Sequence, residues 1–204
     1  MSSTVLGIEF AKTILQILVI IFAGQILSLI IAKFNRNRQE SIVLNDYRKS
    51  FLDKINRAFV NSQKARRKLR IEGIVISQEE IPNDSRKVKI ITLIEQMESI
   101  NEIEFELRAM VNELRTFQHV FSKPEELEKN FKGMQEILEK LLKEFEHNLP
   151  KHHDQTTTIS LSGLSNLADL IGPYSDSTLA KEYAKKFYFI LDSIRKDILE
   201  ARNY

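Results

Sequence analysis

Few residues in this chain are of types that bind metals or take part directly in catalysis. The histidines are the first candidates. His147, His152 and His153 precede Asp154, and these are residue types that bind transition metals. Adjacent histidines cannot share one face of a regular helix, cysteine is absent, and no HExxH-type spacing occurs. We therefore expect a solvated loop here, with no metal and no cofactor. No Gly-rich phosphate loop and no Ser/His/Asp set can be assembled either, so the sequence indicates no enzyme.

A second pair of chemically capable side chains is Arg115 and His119, four positions apart. On a helix this spacing places both on one face. The pair resembles the Arg–His motif of HEPN ribonucleases, which are helical and include membrane-linked accessory proteins of antiviral defence. The spacing in that family is wider, and the flanking residues do not extend the likeness. The resemblance implies a membrane-tethered HEPN-like ribonuclease with Arg115 and His119 as its catalytic residues, which we keep as an alternative function.

The densest positive charge lies in residues 63–70, where Arg66, Arg67 and Arg70 stand among two lysines. Lipid headgroups are one candidate ligand. On a straight helix, however, Arg66 would lie about 51 Å from the apolar stretch described below. This distance is several times the Debye length of about 8 Å, so attraction to the headgroups would be screened. Nucleic acid is a second, but no aromatic platform for bases lies nearby. We favour a third interpretation, in which these arginines form structural ion pairs with Glu104 on the apolar seam of the next helix.

The basic run and the segment around Glu104 also carry a resemblance. Residues 59–70 read FVNSQKARRKLR and residues 99–107 read SINEIEFEL, downstream of a single apolar stretch. This pattern is similar to a group of uncharacterised bacterial single-pass membrane proteins with a cytosolic helical domain, over about residues 10–150. The resemblance implies no activity. It does imply that the arginines and the pair of Asn101 and Glu104 belong together.

The element that must position the rest is Thr13–Ala32, which holds twenty residues without a charge. As a helix it spans about 30 Å, the thickness of the hydrocarbon core of a bilayer. A secretory signal has a shorter apolar region followed by a small-residue cleavage site, and a soluble core helix carries polar residues at helical intervals. Neither description fits, so the stretch predicts an uncleaved transmembrane helix.

Charges on either side of the stretch predict its orientation. Lys33, Arg36 and Arg38 follow it, whereas Lys12 precedes it and is offset by Glu9. Because positive flanks stay cytoplasmic, we expect an N-out, C-in protein of the inner membrane whose bulk lies in the cytosol. Lys33, Arg36 and Arg38 are then placed to bind lipid headgroups.

Within the stretch, Gly24, Ser28 and Ala32 recur at every fourth position, and Gln25 lies beside them. Small residues let helix backbones approach closely, and an amide in hydrocarbon needs a partner on another helix. A single span finds that partner only in another molecule. These four residues therefore predict a homo-oligomer contact, although single small residues are also common in spans without any such role.

Composition and charge predict the architecture. Glycine and proline number only six and four, which favours an all-α chain. We expect its transmembrane helix to continue towards a cytosolic antiparallel helical bundle. Residues 33–70 hold twelve basic and three acidic residues, and because the chain is +2 and residues 1–32 are neutral, residues 71–204 carry −7. Two oppositely charged parts are expected to pack together. The expected segments are a tail (1–12), the span (13–32), a basic juxtamembrane helix (33–71), an acidic hairpin (72–150), a linker (151–159) and a C-terminal helical pair (160–204).

Apolar periodicity places the cytosolic helices more closely. It predicts one from the span to about Ile71, with a hinge at the polar residues 35–40 as the alternative, then others near 85–121, 122–148, 160–171 and 178–201. Ser122 and Glu125 have the spacing of a capping box at the start of the third of these five.

Taken together, these features predict a non-enzymatic protein. We expect a membrane-anchored, self-associating scaffold or effector that signals at the inner membrane or perturbs it, as bacterial defence effectors do, the latter by analogy only. Its expected partners are membrane lipid, further copies of itself and an open choice of protein partner. A nucleic-acid-binding membrane adaptor is a less favoured alternative.

Overall fold

The computed structural model describes residues 3–75, 87–150, 154 and 157–200, with side chains from residue 25 onwards except at residue 75. The chain divides into two compact units, Met1–Asp46 and Tyr47–Tyr204. Helices make up most of the described residues, and the rest includes one small sheet. The prediction of an all-α chain is confirmed.

Helix α1 runs from Ser3 to Lys68 and is the longest element of the chain. Neither glycine nor proline interrupts it between Phe34 and its end, which matches the expectation of one long helix. A single π-helical turn, Leu69–Gly73, follows it. The chain needs glycine at the end of this turn, because a Cβ on Gly73 would lie 3.0 Å from Val88 Cγ2.

The predicted transmembrane span falls only partly within the described side chains, because those of Thr13–Gly24 lie outside them. Among the residues that the structure does describe, no helix is both long enough and apolar enough to cross a membrane.

Helices α2 (Ile90–Thr116) and α3 (Pro124–Asn148) form a hairpin, connected through a 3₁₀ turn at Gln118–Val120. Arg115 near the end of α2 pairs with Glu128 near the start of α3. Glu104, which lies earlier in α2, contacts Gln135, which lies later in α3. The two helices are therefore antiparallel. Their facing seams are buried, at Leu93, Met97, Ile100, Leu107 and Leu114 of α2 and at Leu127, Phe131, Met134, Leu138 and Leu141 of α3.

The predicted capping box at the start of α3 does not form. The N-cap position is Lys123, which makes no side-chain cap, and Pro124 takes the first helical position. Ser122 lies one residue too early, and its hydroxyl donates instead to Asp197.

The N-termini of helices α4 (Ser165–Ile171) and α5 (Thr178–Glu200) are capped by carboxylates from the preceding helices. Glu144 of α3 accepts from two backbone N–H groups in the first turn of α4, at 2.9 and 3.0 Å. Asp169 of α4 accepts from two at the start of α5, at 2.7 and 3.0 Å. Each carboxylate satisfies N–H groups that have no partner within the helix and lies at the positive end of the helix dipole.

A three-stranded antiparallel sheet joins distant parts of the chain, in the order β1 (Ile74–Val75), β2 (Lys87–Lys89) and β3 (Thr158–Ser160). Val88 in the central strand is fully buried, and it lies opposite Ile159 and the first residue of β1. The sheet thereby fixes both the entry to α2 and the segment that leads to α4.

Aromatic contacts pack the second half of α1 into the core. Phe51 meets Phe121 and Phe131 with ring centroids 5.2 and 5.7 Å apart. Phe59 stacks on Phe187 of α5, with centroids 3.8 Å apart and rings nearly parallel. Within the second unit, this part of α1, α2, α3 and α5 form a bundle around one core, and α4 lies against α3 and α5.

Candidate functional sites

The first candidate site is the apolar segment, residues 25–34 of α1. Its six large apolar side chains are 50% to 71% exposed, namely Ile26, Leu27, Leu29, Ile30, Ile31 and Phe34. The predicted contact residues Gln25, Ser28 and Ala32 are exposed on the same segment, while the position of Gly24 lies outside the described side chains. A continuous run of exposed apolar residues is rare on a soluble monomer and marks an interaction surface.

Of the predicted headgroup residues, Lys33 lies near the end of this segment and Arg36 and Arg38 follow it, and all three are exposed. Arg36 Nε lies 2.9 Å from Glu40 Oε1, one helical turn further on. Because both side chains are more than half exposed, this pair contributes little and leaves Arg36 free to exchange partners.

The second candidate site lies in the basic run. Arg66 is buried, and its guanidinium donates to the carbonyl oxygens of Leu170 (2.5 Å) and Gly172 (2.8 Å) at the end of α4. Its Cζ lies 5.7 Å from the centre of the Tyr174 ring. Carbonyls at a helix C-terminus carry partial negative charge, so this is a favourable place for a cation. Burial lowers the pKa of Arg66, and the nearby charge of Arg70 lowers it further.

The carboxylate of Glu104 takes its partner from its own helix. Arg108 donates to Glu104 Oε1 through Nη2 at 2.8 Å and through Nε at 3.2 Å, and the Gln135 amide approaches at 3.4 Å. Arg108, and not the arginine run, is thus the partner of Glu104, which corrects the expectation. The correction has a simple cause, because a residue four positions away on the same helix is always within reach.

The arginines of residues 63–70, which do not pair with Glu104, line an open groove. The basic groove, as we call it, has a volume of about 500 Å³ and is lined by Gln63, Arg66, Arg67, Arg70 and Ile71. Arg67 and Arg70 are exposed, and no acidic side chain of the described residues pairs with either. Elsewhere in the second unit, Lys54, Arg108 and Arg115 each have a carboxylate partner.

A much smaller inner pocket of about 20 Å³ lies behind the basic groove and shares Gln63 and Arg66 with it. The Tyr183 hydroxyl is buried in its wall and has no hydrogen-bond partner among the described residues. Ser62 lines the same pocket, but its hydroxyl donates to the Phe59 carbonyl at 2.7 Å. Burial raises the pKa of Tyr183. A pocket of this size has room for one water molecule.

A further groove of about 430 Å³ lies between α1 and α2. Lys54 Nζ contacts both carboxylate oxygens of Glu113 at 2.8 Å, and the Tyr47 hydroxyl donates to the same carboxylate at 3.1 Å. Burial and the charge of Glu113 raise the pKa of Tyr47. This is a contact between the basic and acidic parts of the chain of the kind that their charges predict, and every polar group named has a partner.

The alternative catalytic pair is divided between two elements. Arg115 lies in the last turn of α2, where it donates twice to Glu128, at 2.7 and 3.0 Å. His119 lies in the following 3₁₀ turn and is exposed. The bonds from Arg115 and then Lys132 lower the pKa of Glu128 to about 2. Arg115 is thus ion-paired with Glu128, and His119 lies on the next element.

Of the residues considered as metal ligands, only His147 and Asp154 lie within the described part of the chain. His147 is exposed at the end of α3, and His152 and His153 lie outside the described residues. Asp154 accepts from the Thr157 hydroxyl at 2.7 Å. Within the described part of the chain, no group of three or more His, Asp or Glu side chains has the geometry of a metal site.

Comparison of the chain with protein-family models, with curated proteins and with solved structures finds no match. The resemblance to bacterial single-pass proteins therefore rests on the quoted residues alone.

Sequence reasoning missed three residues of these sites. Arg108 could have been found, since it stands four positions after Glu104 in the order that forms an ion pair on a helix. Gln63 and Tyr183 could not, because their neighbourhood depends on contacts between elements more than a hundred positions apart in the chain.

Proposed function

We propose that the chain is a non-enzymatic, membrane-anchored and self-associating helical protein, with α1 as its anchor and the second unit as a cytosolic scaffold or effector domain. One observation carries the proposal, the exposure of six large apolar side chains in consecutive turns of the apolar segment. Burial of a Leu or Ile side chain is worth about 1.5–3 kcal/mol, so six exposed ones favour a cover of lipid or protein.

Lipid is the cover that fits the surrounding sequence. The segment overlaps the end of the uncharged stretch Thr13–Ala32, and Lys33, Arg36 and Arg38 follow that stretch directly. An apolar helix that is followed by cationic residues is typical of a membrane anchor. The cations then lie at the anionic headgroups on the cytoplasmic side. The single-pass, N-out orientation belongs to the proposal for the same reason.

The second unit supports a role in recognition rather than catalysis. Its core is continuous, and among the buried side-chain polar atoms of the described residues only the Tyr183 hydroxyl lacks a hydrogen-bond partner. No observation favours the ribonuclease alternative, because Arg115 is bound to Glu128 and His119 lies apart on the following turn.

Fractionation of cells that express the full chain tests the proposal. We expect it in the membrane fraction, and we expect it to resist extraction by alkaline carbonate but not by detergent. A matched variant with Ile26, Leu29 and Ile30 changed to Asn is expected to shift towards the carbonate-soluble fraction. Release of the unaltered chain by carbonate alone would contradict a membrane-spanning anchor.

A further inference from the structure

We propose that the basic groove is a binding site for a phosphate group, held between the guanidinium groups of Arg67 and Arg70 with Arg66 at the back. The site lies wholly within the second unit and does not depend on the membrane anchor.

Arg66 is fixed before any ligand arrives. Its Nε and Nη2 are bonded to the carbonyls of Leu170 and Gly172, and its side chain is only 8% exposed. Guanidinium has five N–H donors, so two bonds to neutral acceptors leave further donors for a ligand. The nearby Asp169 carboxylate favours the charged form of Arg66, but its oxygens accept from the backbone N–H groups of Thr178 and Leu179. A fixed, weakly hydrated cation at the back of a cavity attracts an anion without a further ordering cost.

Arg67 and Arg70 line the same groove and add two more cations. Neither is paired with an acidic side chain among the described residues, whereas the carboxylates of Glu104, Glu113 and Glu128 are all taken by other cations. Three positive charges along one groove repel one another, and the pKa of Arg66 is lowered first by burial and then by the charge of Arg70. A bound anion with more than one negative charge relieves that repulsion.

Phosphate suits this arrangement better than a carboxylate does. One arginine can satisfy both oxygens of a carboxylate, whereas the several oxygens of a phosphate can accept forked bonds from two or three arginines at once. Gln63 adds a neutral amide at the edge of the groove. The source of the phosphate group is either a free anion such as pyrophosphate or the headgroup of a lipid.

Calorimetric titration of the purified full chain in a non-ionic detergent tests the site. The probes are inorganic phosphate, pyrophosphate, a short-chain, soluble phosphatidylglycerol and an RNA oligonucleotide. The test variant is Arg67→Gln/Arg70→Gln, and its matched control is Lys64→Gln/Lys68→Gln, which removes the same charge from exposed positions that do not line the groove. Arg66 is left unchanged because its bonds to the two carbonyls are structural.

We expect saturable binding to the unaltered chain and to the lysine variant, and at least roughly tenfold weaker binding to the arginine variant. An Arg67→Lys/Arg70→Lys variant, which keeps the charge and loses the forks, should bind with intermediate affinity. Binding of phosphate or pyrophosphate assigns a free anion, and binding of the lipid probe alone assigns a headgroup. Equal loss in the arginine and lysine variants, the absence of saturable binding, or binding of an RNA oligonucleotide alone would overturn the proposal.

Discussion

Asp197 of α5 accepts two hydrogen bonds from Ser122, one from its backbone N–H at 3.0 Å and one from its hydroxyl at 2.5 Å. Arg48 of α1 joins the same place, because it donates to the carbonyls of Val120 and Asp197 at 2.8 and 3.3 Å. Three elements of the second unit are thereby tied together at one end of the bundle: α1, α5 and the connection between α2 and α3.

This tie predicts a clear order of stabilities. Asp197 is buried, and Asp197→Ala leaves both donors of Ser122 without their partner, so the free energy of unfolding should fall by about 2 kcal/mol. Ser122→Ala removes only the hydroxyl bond and should lower it by about 1 kcal/mol. Urea denaturation followed by circular dichroism measures both. Asp192→Ala, an exposed position on the same helix, is the control and should change little.

The core was largely predictable from the sequence, and the helix ends were less so. Helical apolar periodicity and Pro150 are local signals, so α3 ends at Asn148 as predicted. The apolar residues at three- and four-residue steps along α5 are buried, namely Ala180, Tyr183, Ala184, Phe187, Ile190, Leu191, Ile194 and Ile198. Helix α2 begins later than expected because β2 occupies residues 87–89. Strands of two and three residues are too short to show alternation, and the pairing of β2 with β3 joins residues 69 to 73 positions apart.

The candidate sites also differ in whether local sequence alone could predict them. The apolar segment and its flanking cations are contiguous in sequence and could be read directly. The partners of Arg66 are carbonyls of Leu170 and Gly172, which any sequence would supply. Nothing in a side-chain pattern points to a backbone acceptor, so a carboxylate was expected in its place.

The pair of Glu104 and Arg108 predicts an asymmetric response to mutation. Glu104 is 2% exposed, and Arg108→Ala leaves its carboxylate with only the distant Gln135 amide, so the free energy of unfolding should fall by about 2 kcal/mol. Changing Glu104 to Gln in that background removes the unpaired charge and should restore part of the loss. Thermal and urea unfolding measure it, with Lys140→Ala as the exposed control. Stability of Arg108→Ala equal to that of the unaltered chain would contradict a structural role for the pair.

Glu128 predicts a pH dependence at the acid end. Its pKa is lowered from 4.5 to about 2 by the bonds from Arg115 and Lys132. A folded-state pKa below the unfolded one gives stability that is present above the unfolded value and is lost as pH falls through the folded value. The difference in melting temperature between the unaltered chain and Glu128→Gln should therefore be largest above pH 4.5 and shrink towards pH 2. Glu136→Gln, at an exposed position on the same helix, should show no such window, and a difference that does not change with pH would contradict the ion pair.

Gln25 predicts how the anchor recognises its neighbours, if the apolar segment lies in lipid as proposed. Its amide is exposed on a helix face with Ser28 and Ala32, small residues that allow a second helix to approach. In hydrocarbon the amide has no water to bond, so its best partner is the same residue of another copy, worth about 1 kcal/mol. Gln25→Leu should then raise the dissociation constant of the oligomer roughly fivefold, measured by sedimentation equilibrium in detergent. Ile30→Leu changes a different face of the segment and should leave the constant unaltered, so an equal effect of both substitutions would show that association depends on general hydrophobicity and not on the amide.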